Sequence, residues 1–293
     1  MNKAKFLDKC QQQYYLLLLA LSFFTRVPVK LPEPIKLVML QKASGYFAVV
    51  GLFIGLVTAL VLVLLASFLP VSIAILLAMA SSLLLTGAFH EDGWADVWDG
   101  FGGGWTIEQK LNIMKDSRLG TYGAAALFFI LMLKYQSLHL LSLSQVPIFS
   151  WLDVSSSHAF LVPAFALVLA HTLSRAVATS IIFSMQYVSD DAKSKVKPLA
   201  QHLSFNSLLV LLITGALVLF ALLPTAHALV MMGCLWLIRR LLIFWFNRQL
   251  GGFTGDCLGA AQQLLEVAIY VILLVFSASP ALFSNTPIIE VGL

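Results

Sequence analysis

Charged residues are scarce in this chain of 293 residues: 18 lysines and arginines and 14 aspartates and glutamates make up only 11% of it, against 60% hydrophobic residues. With a mean hydropathy of +0.92, this composition excludes an ordinary soluble protein. Cysteine is also rare. The three cysteines have no metal-ligand spacing, and their odd number argues against a disulfide framework. The net charge of +4 is scattered over several loops, so it predicts contact with membrane lipid head groups and no nucleic-acid binding.

Long apolar runs predict an all-α, polytopic integral membrane helical bundle, with residues 1–293 forming a single membrane domain. A transmembrane helix needs about 20 apolar residues. The shorter run 14–24 ends in a charged segment and lacks a small-residue cleavage site, so it predicts a retained interfacial or re-entrant helix. The seven predicted spans are 45–69, 71–90, 122–144, 159–183, 206–223, 225–246 and 259–283.

The distribution of lysine and arginine predicts the orientation of the chain, because these residues favour cytoplasmic loops. They lie on both sides of the run 14–24, and from there loops with and without them alternate. The expected protein sits in the inner (cytoplasmic) membrane of a bacterium, with its N-terminus inside and its C-terminus outside. The basic loops are 91–121 and 184–205, followed by Arg239, Arg240 and Arg248. The segments without basic residues are the turns near 70 and 224, the loop 145–158 and the tail after 283.

Acidic residues are concentrated in the first of these basic loops. Asp92, Asp96 and Asp99 are spaced i, i+4, i+7, which places them on one face of a helix. Carboxylates near hydrocarbon need compensating charge, and Mg²⁺ takes one or two carboxylates and completes its shell with water and substrate phosphates. We therefore predict that these three residues are catalytic and bind Mg²⁺. A solvated acidic loop is the alternative. The six carboxylates of this region are Glu91, Asp92, Asp96, Asp99, Glu108 and Asp116.

A short segment after these acids mixes both charges with a hydroxyl. Lys115, Ser117 and Arg118 are expected to bind phosphate oxygens of a substrate. Asp116 is a further catalytic candidate, because it can orient a phosphate or a metal-bound water. An ordinary loop helix with local ion pairs explains the same four residues.

A second polar segment, 251–259, precedes the last predicted span. Thr254, Gly255 and Asp256 stand where the first amides of a helix are free, an arrangement that suits binding of a phosphate group or its metal. We predict substrate binding by Thr254 and Gly255 and a catalytic role for Asp256. A simple N-cap by Thr254 or Asp256 is the alternative, and both roles are compatible.

Ionisable residues inside spans are rare, and each needs a partner or a polar cavity. Arg175 falls in the cytoplasmic third of its span, where we expect it to clamp a diphosphate. Lys134 lies near the middle of another span, and a structural pair with Glu266 explains it equally well. His90 adjoins the acidic face, where it either binds substrate or caps the helix.

Several of these motifs resemble those of the cobalamin synthase family, the adenosylcobinamide-GDP ribazoletransferases. The family pattern G-x-x-H-x-D-G-x-A-D-x-x-D-G is similar to residues 87–100, and I-M-K-D-S-R-x-G-x-x-G is similar to residues 113–123. The pattern G-G-x-T-G-D-x-x-G-A is similar to residues 251–260, F-x-T-R-x-P to 23–28, and a Ser-Arg pair to 174–175. The motifs occur in order along nearly the whole chain.

The resemblance implies the last step in assembling the cobalamin nucleotide loop. The substrates would be adenosylcobinamide-GDP and alpha-ribazole or its 5′-phosphate, and the products adenosylcobalamin or its 5′-phosphate and GMP. A ribose hydroxyl would attack the phosphorus attached to cobinamide at a Mg²⁺ site, with Asp116 or Asp256 completing the metal shell or taking the proton. The corrinoid would lie on aromatic faces, which serve equally well as an interfacial belt: Trp94, Trp98, Phe101 and Trp105. A homo-oligomer is compatible with this hypothesis.

Two other classes of protein use comparable residues. Membrane phosphotransferases of the CDP-alcohol type, and prenyltransferases, also carry spaced aspartates, but this chain lacks the alanine-arginine pair of the former and the asparagine-led motif of the latter. A cation transporter should have charges along a path through the membrane and broken helices in paired halves. Here the acids gather on one predicted side and no internal repeat is apparent.

Overall fold

The computed structural model of the chain describes residues 3–31, 37–144, 148–149, 160–188 and 202–278. Within these ranges the chain is helical, and its one β-contact is an isolated bridge between Tyr187 and Phe253. The prediction of an all-α protein is confirmed. The helices are α1 (Lys3–Phe24), α2 (Leu37–Ala43), α3 (Phe47–Ala66), α4 (Val71–Thr86), α5 (Phe89–Gly103), α6 (Ile107–Met114), α7 (Thr121–Ser142), α8 (Leu161–Ser180), α9 (Phe205–Leu222), α10 (Thr225–Leu250) and α11 (Gly255–Ala278).

Six helical segments of the described chain are long and apolar enough to cross a membrane, and the pair α4 and α5 adds a seventh if it counts as one broken span. The predicted polytopic bundle of about seven spans is therefore confirmed. Helix α1 is not among these segments, which agrees with the expectation that the first run does not cross. The six are Val38–Ala66, Thr121–Ser142, Leu161–Phe183, Phe205–Leu222, Thr225–Leu250 and Gly255–Ala278.

Several predicted boundaries differ from the structure, and the largest difference is at the first span. The first span begins at Val38, before the expected start at 45, because α2, a single 3-10 turn and α3 follow one another without a break. The span expected over 71–90 ends at Thr86. Parts of the chain used to predict the orientation lie wholly or mostly outside the described residues: the loops 145–158 and 184–205 and the tail after 283.

Helix α8 is the centre of the bundle and is buried along almost its whole length. Its closest neighbour is α3, which approaches it through two glycines. A Cβ at Gly51 would overlap the backbone carbonyl of His171, and one at Gly55 would lie 2.8 Å from the Cα of Val168. Small residues allow this close packing of helices where no hydrophobic effect drives them together. Helices α7, α9, α10 and α11 complete the surroundings of α8.

The chain turns sharply between α4 and α5, whose axes differ by 87°. Gly87 and Ala88 both adopt the left-handed conformation, with φ of 68° and 57°. For alanine this conformation costs roughly 1–2 kcal/mol. The guanidinium of Arg26 packs on Gly87, and the amide of Arg26 donates to the carbonyl of Leu85 at 2.8 Å. The turn therefore ends the crossing by α4 and directs α5 across one end of the bundle.

Helix ends from distant parts of the sequence meet around α5 and α6. The Lys110 ammonium of α6 donates to the side chain of Gln249 at the end of α10 at 2.6 Å. The amide of Phe253, just before α11, donates to the carbonyl of Gln186, after α8, at 2.9 Å. The indole of Trp94 on α5 donates to the carbonyl of Ala126 on α7 at 3.0 Å. The polar segments of the sequence are thereby collected on one side of the bundle.

Candidate active site

The three aspartates of α5 lie on the predicted helix, but in three different environments. Asp92 is exposed, Asp96 is half-buried and Asp99 is buried. Neither Asp92 nor Asp96 has a hydrogen-bond or ion-pair partner among the described residues. Their carboxylate oxygens therefore remain available to a ligand from outside the chain.

Asp99 is held differently. Its two carboxylate oxygens accept hydrogen bonds from the backbone amides of Gly120 and Gly123, both at 2.8 Å. These amides belong to the N-terminus of α7, where N–H groups lack partners within the helix and a negative charge is favoured. A Cβ at either glycine would collide with this carboxylate. Asp99 therefore fastens α7 to α5, and the structure does not set it beside Asp92 and Asp96 as a third free ligand.

The carboxylate of Asp256 lies near the two that have no partner, Asp92 and Asp96. The first turn of α11 packs on α5, and a Cβ at Gly93 would lie 3.0 Å from the Cα of Asp256. Burial raises the pKa of Asp96 to about 8, and the neighbouring carboxylates of Asp256, Asp92 and Asp99 add to this rise. We name Asp92, Asp96 and Asp256 the acidic site. Glycine at position 93 is required for this arrangement, because a side chain there would push the two helices apart.

The chemistry of the acidic site fits Mg²⁺ held by few protein ligands. Among the described residues, no three acidic, histidine or cysteine groups form a ready-made metal site. Mg²⁺ does not require one, because it usually keeps several waters and binds one or two carboxylates together with substrate phosphates. Neighbouring carboxylates without partners repel each other, and a divalent cation would neutralise them.

The segment after α6 is exposed and forms a local ion pair. The Arg118 guanidinium donates to both carboxylate oxygens of Asp116, the shortest contact being 2.6 Å. Hydrogen bonds from the side chain and then the backbone of Arg118 lower the pKa of Asp116. Lys115 and Ser117 are exposed beside this pair. The local ion pair expected as the alternative is thus present, and phosphate binding by Lys115, Ser117 and Arg118 stays a prediction.

Residues before α11 form the expected N-cap. The hydroxyl of Thr254 accepts from the amide of Cys257 at 3.3 Å and donates to the Asp256 carboxylate at 3.4 Å. Gly255 is exposed, and nothing lies within 4 Å of the position a Cβ would take there. The helix N-terminus is therefore open to a ligand above Gly255, while Thr254 itself is buried and engaged in the cap.

His90 and Arg175 lie deeper than expected. The His90 ring is 3% exposed and stacks on Phe24, with ring centroids 5.2 Å apart. Arg175 is 2% exposed, and its Nη1 contacts the ring nitrogen Nδ1 and the carbonyl oxygen of His171 at 3.0 and 3.1 Å. The same ring nitrogen of His171 lies 3.8 Å from the carboxylate of Glu266. Arg175 is therefore part of a buried cluster, and its binding of a diphosphate stays a prediction.

The buried cluster joins helices α5, α7, α8 and α11. Lys134 lies 3.1 Å from Glu266 and 3.6 Å from Glu91, which confirms the pairing of Lys134 with Glu266. Glu91, grouped by sequence with the surface acids, instead points inward and accepts from Gln263 at 2.9 Å. Gln262 donates to Glu266 at 2.7 Å.

Four polar members of this cluster were missed from the sequence: His171, Gln262, Gln263 and Tyr270. A signal for two of them was present, because Gln262, Glu266 and Tyr270 repeat every four residues and so share one face of α11. The Tyr270 hydroxyl donates to Glu266 at 3.1 Å. His171 carries no comparable spacing, and only the fold brings its ring within 3.8 Å of Glu266.

The fold and the site together define a multi-pass helical membrane protein with an acidic site at the ends of its helices. Residues 16–274 match the family described as Cobalamin-5-phosphate synthase. The Adenosylcobinamide-GDP ribazoletransferase of Shewanella piezotolerans (strain WP3 / JCM 13877) is 50% identical over 269 residues, which are 92% of this chain and 98% of that protein. The protein of the same description from Shewanella frigidimarina (strain NCIMB 400) is 51% identical over 271 residues, again 92% and 98%. No solved structure matches the chain.

The chain belongs to the cobalamin-5-phosphate synthase family. It is a membrane-bound transferase that acts at the final stage of assembly of the cobalamin nucleotide loop. The resemblance noted from the sequence motifs is confirmed.

Proposed function

We propose that the chain transfers the adenosylcobinamide-phosphate group of adenosylcobinamide-GDP to alpha-ribazole or its 5′-phosphate. The products are adenosylcobalamin or its 5′-phosphate and GMP. The observation that carries this proposal is the meeting of Asp92, Asp96 and Asp256 at the contact of α5 with α11, with Asp92 and Asp96 left without partners in the described chain. The names of the curated relatives support the choice of donor.

The reaction replaces the phosphoanhydride bond of the donor by a phosphate ester bond to the acceptor. A ribose hydroxyl of the acceptor attacks the phosphorus attached to cobinamide, the bond from this phosphorus to the oxygen bridging it to the GMP phosphorus breaks, and GMP leaves with that oxygen. Positioning and charge neutralisation supply most of the rate in such transfers. Asp256 or Asp116 takes the proton of the hydroxyl. Asp256 is the better placed, because its backbone packs on Gly93 of α5, whereas Asp116 is paired with Arg118.

Asp92 and Asp96 would hold Mg²⁺, with Asp256 as a further ligand if Asp116 takes the proton. When bound, this ion neutralises charge on the diphosphate and on the leaving GMP. Phosphate oxygens also meet the open N-terminus of α11 at Gly255, where backbone amides and the helix dipole favour anions. Lys115, Ser117 and Arg118 stand on the exposed segment after α6 and bind the remaining phosphate oxygens.

The corrinoid lies at the membrane surface beside α5. Trp105 is 92% exposed and Trp98 is 37% exposed, so both offer flat faces to a large ring system. Trp94, considered with them from the sequence, is buried and hydrogen-bonded to α7, and Phe101 packs edge-on against Trp245. The corrinoid platform is therefore assigned to Trp98 and Trp105.

We assign the acidic site to the cytoplasmic side, where nucleotides are found. Basic residues favour that side, and several stand at the same end of the bundle as the site, including Lys110, Lys115, Arg118 and Arg248. The turns at the other end that belong to the described chain, 67–70, 143–144 and 223–224, contain no lysine or arginine. The C-terminus then lies on the outer side of the inner membrane.

The decisive experiment measures GMP release by protein reconstituted in lipid vesicles with adenosylcobinamide-GDP, alpha-ribazole and Mg²⁺. Asp96→Asn should reduce GMP release at least a hundredfold, whereas Glu108→Gln, the same chemical change on an exposed acid of α6, should leave it unchanged. Normal turnover by Asp96→Asn would contradict the role of the acidic site. Turnover of a CDP-alcohol or a prenyl diphosphate instead, or metal uptake without GMP release, would replace the proposed function by one of the alternative classes.

A further inference from the structure

Glu91 and Asp92 are neighbours on α5, and their side chains lie in different surroundings. Asp92 is exposed at the acidic site, while Glu91 is 8% exposed inside the bundle. Successive residues of a helix differ by about 100° in direction, so the position of one carboxylate determines that of the other. Whatever holds Glu91 therefore also holds Asp92.

Two helices hold Glu91 through one carboxylate oxygen. Its Oε1 accepts from Gln263 of α11 at 2.9 Å and lies 3.6 Å from the ammonium of Lys134 on α7. Lys134 in turn lies 3.1 Å from Glu266, also on α11. The contacts therefore tie α5 to α11 both directly and through α7.

The same two helices carry the acidic site. Asp256 lies in the first turn of α11, and Gln263 follows it two turns later on the same helix. A shift of α5 along α11 would therefore displace Asp92 and Asp96 from Asp256 and stretch the contacts of Glu91 at the same time. The backbones are already in contact at Gly93 and Asp256, so sliding and rotation are the movements left to restrain.

The cluster is balanced in formal charge. Glu91 and Glu266 are its carboxylates, and Lys134 and Arg175 its cations, all 8% exposed or less. A buried charge without its partner is costly, which makes the register in which Glu91 meets Lys134 the favoured one. An apolar contact would tolerate sliding of α5, because hydrophobic packing is not directional.

We propose that Glu91 and Lys134 are positioning residues, a buried pair that fixes the register of α5 on α11 and thereby places Asp92 and Asp96 opposite Asp256 for binding a divalent cation. This inference deepens the proposed function and rests on it for the role of the cation. The pair itself touches neither substrate nor metal.

The test uses two variants that keep the formal charges of the buried cluster balanced. Glu91→Asp preserves the charge but shortens the side chain by one methylene, so that it can no longer reach both Lys134 and Gln263. The double variant Glu91→Gln/Lys134→Met removes one charge of each sign. Glu108→Gln on exposed α6 is the matched control.

Binding of Mn²⁺ alone to the purified protein is measured by loss of the electron paramagnetic resonance signal of free Mn²⁺. Folding is followed by protection of the buried thiol of Cys257. We expect both test variants to protect Cys257 but to bind Mn²⁺ at least tenfold more weakly than the wild type. The value of kcat should fall while KM for the cobinamide nucleotide stays within twofold. The control should match the wild type in every measurement.

Mn²⁺ binding and kcat within twofold of the wild type in both folded variants would overturn the proposal. Loss of Cys257 protection in both variants would overturn it too, because the pair would then serve stability alone. Failure of the proposed function can be told apart from failure of this inference. In that case the wild type would release no GMP, while the two variants would still bind Mn²⁺ more weakly than the control.

Discussion

Asp96→Asn and Asp99→Asn make the same chemical change three residues apart on α5, and we expect opposite effects on stability. The Asp99 carboxylate accepts two backbone hydrogen bonds at the N-terminus of α7. Asp96 has no partner in the described chain and is repelled by three other carboxylates. Loss of charge should therefore damage the fold at position 99 and leave it intact, or strengthen it, at position 96.

The size of the effect at position 99 follows from its two bonds. A hydrogen bond to a charged group contributes roughly 1.5–3 kcal/mol. Asparagine can accept one of the two amides with its carbonyl oxygen, but its NH₂ group then faces the other amide, which is left unsatisfied. We expect Asp99→Asn to lower the free energy of unfolding by about 3 kcal/mol, which corresponds to a factor of roughly a hundred in the unfolding equilibrium.

The buried thiol of Cys257, 0% exposed, provides the assay. In a background with Cys10→Ser and Cys234→Ser, the rate of thiol labelling in detergent with increasing denaturant reports opening of the fold. Asp99→Asn should label at lower denaturant than the parent, and Asp96→Asn should not. If both variants labelled at the same denaturant concentration, the assignment of a structural role to Asp99 and a ligand-binding role to Asp96 would be refuted.

Three further predictions use the same protein. Gly123→Ala should destabilise the fold in the thiol assay, because the added methyl would collide with the carboxylate of Asp99. Gly233→Ala on α10, where the added methyl meets open space, should not. Equal stability of the two variants would contradict the packing described. Lys134→Met alone should cost roughly 3–5 kcal/mol, because it leaves two buried carboxylates without their cation; wild-type stability by the thiol assay would exclude an ionised cluster. Ser117→Cys in the background with Cys10→Ser and Cys234→Ser should react with a membrane-impermeant thiol reagent in inverted membrane vesicles but not in right-side-out ones. The reverse result would place the acidic site on the outer side of the membrane.

Most of the fold could be predicted because apolar runs of about 20 residues are sufficient to indicate spans. The error at α4 has a physical cause. Hydropathy reports the length of an apolar run, whereas the crossing ends at Gly87 and Ala88, where a backbone conformation turns the helix axis within an apolar segment. Ala88 gives no signal of this, since its left-handed φ is imposed by its surroundings.

The sequence was sufficient to predict which residues belong to the candidate site, but not which of them bind a ligand and which hold the fold together. Spacing correctly placed Asp92, Asp96 and Asp99 on one helix, yet only the fold shows that the amides of α7 occupy Asp99 and that Asp256 approaches from α11. Glu91 was misplaced among the surface acids for the same reason. Two residues that are adjacent on a helix can be one exposed and one buried. The sequence does not show which other helices pack against α5, and that packing decides which carboxylate is buried.

The sharp turn after α4 has a consequence for the membrane around the protein. Helix α4 has 16 residues and is therefore about 24 Å long at 1.5 Å per residue, shorter than the hydrocarbon layer of a typical bilayer at about 30 Å. A short crossing is accommodated by local thinning of the bilayer, so we expect the bilayer to be thinner beside the acidic helix that follows α4. Vesicles made from lipids with shorter acyl chains should relieve this mismatch, so bilayer thickness becomes a variable that tunes how readily water-soluble reactants reach the aspartates.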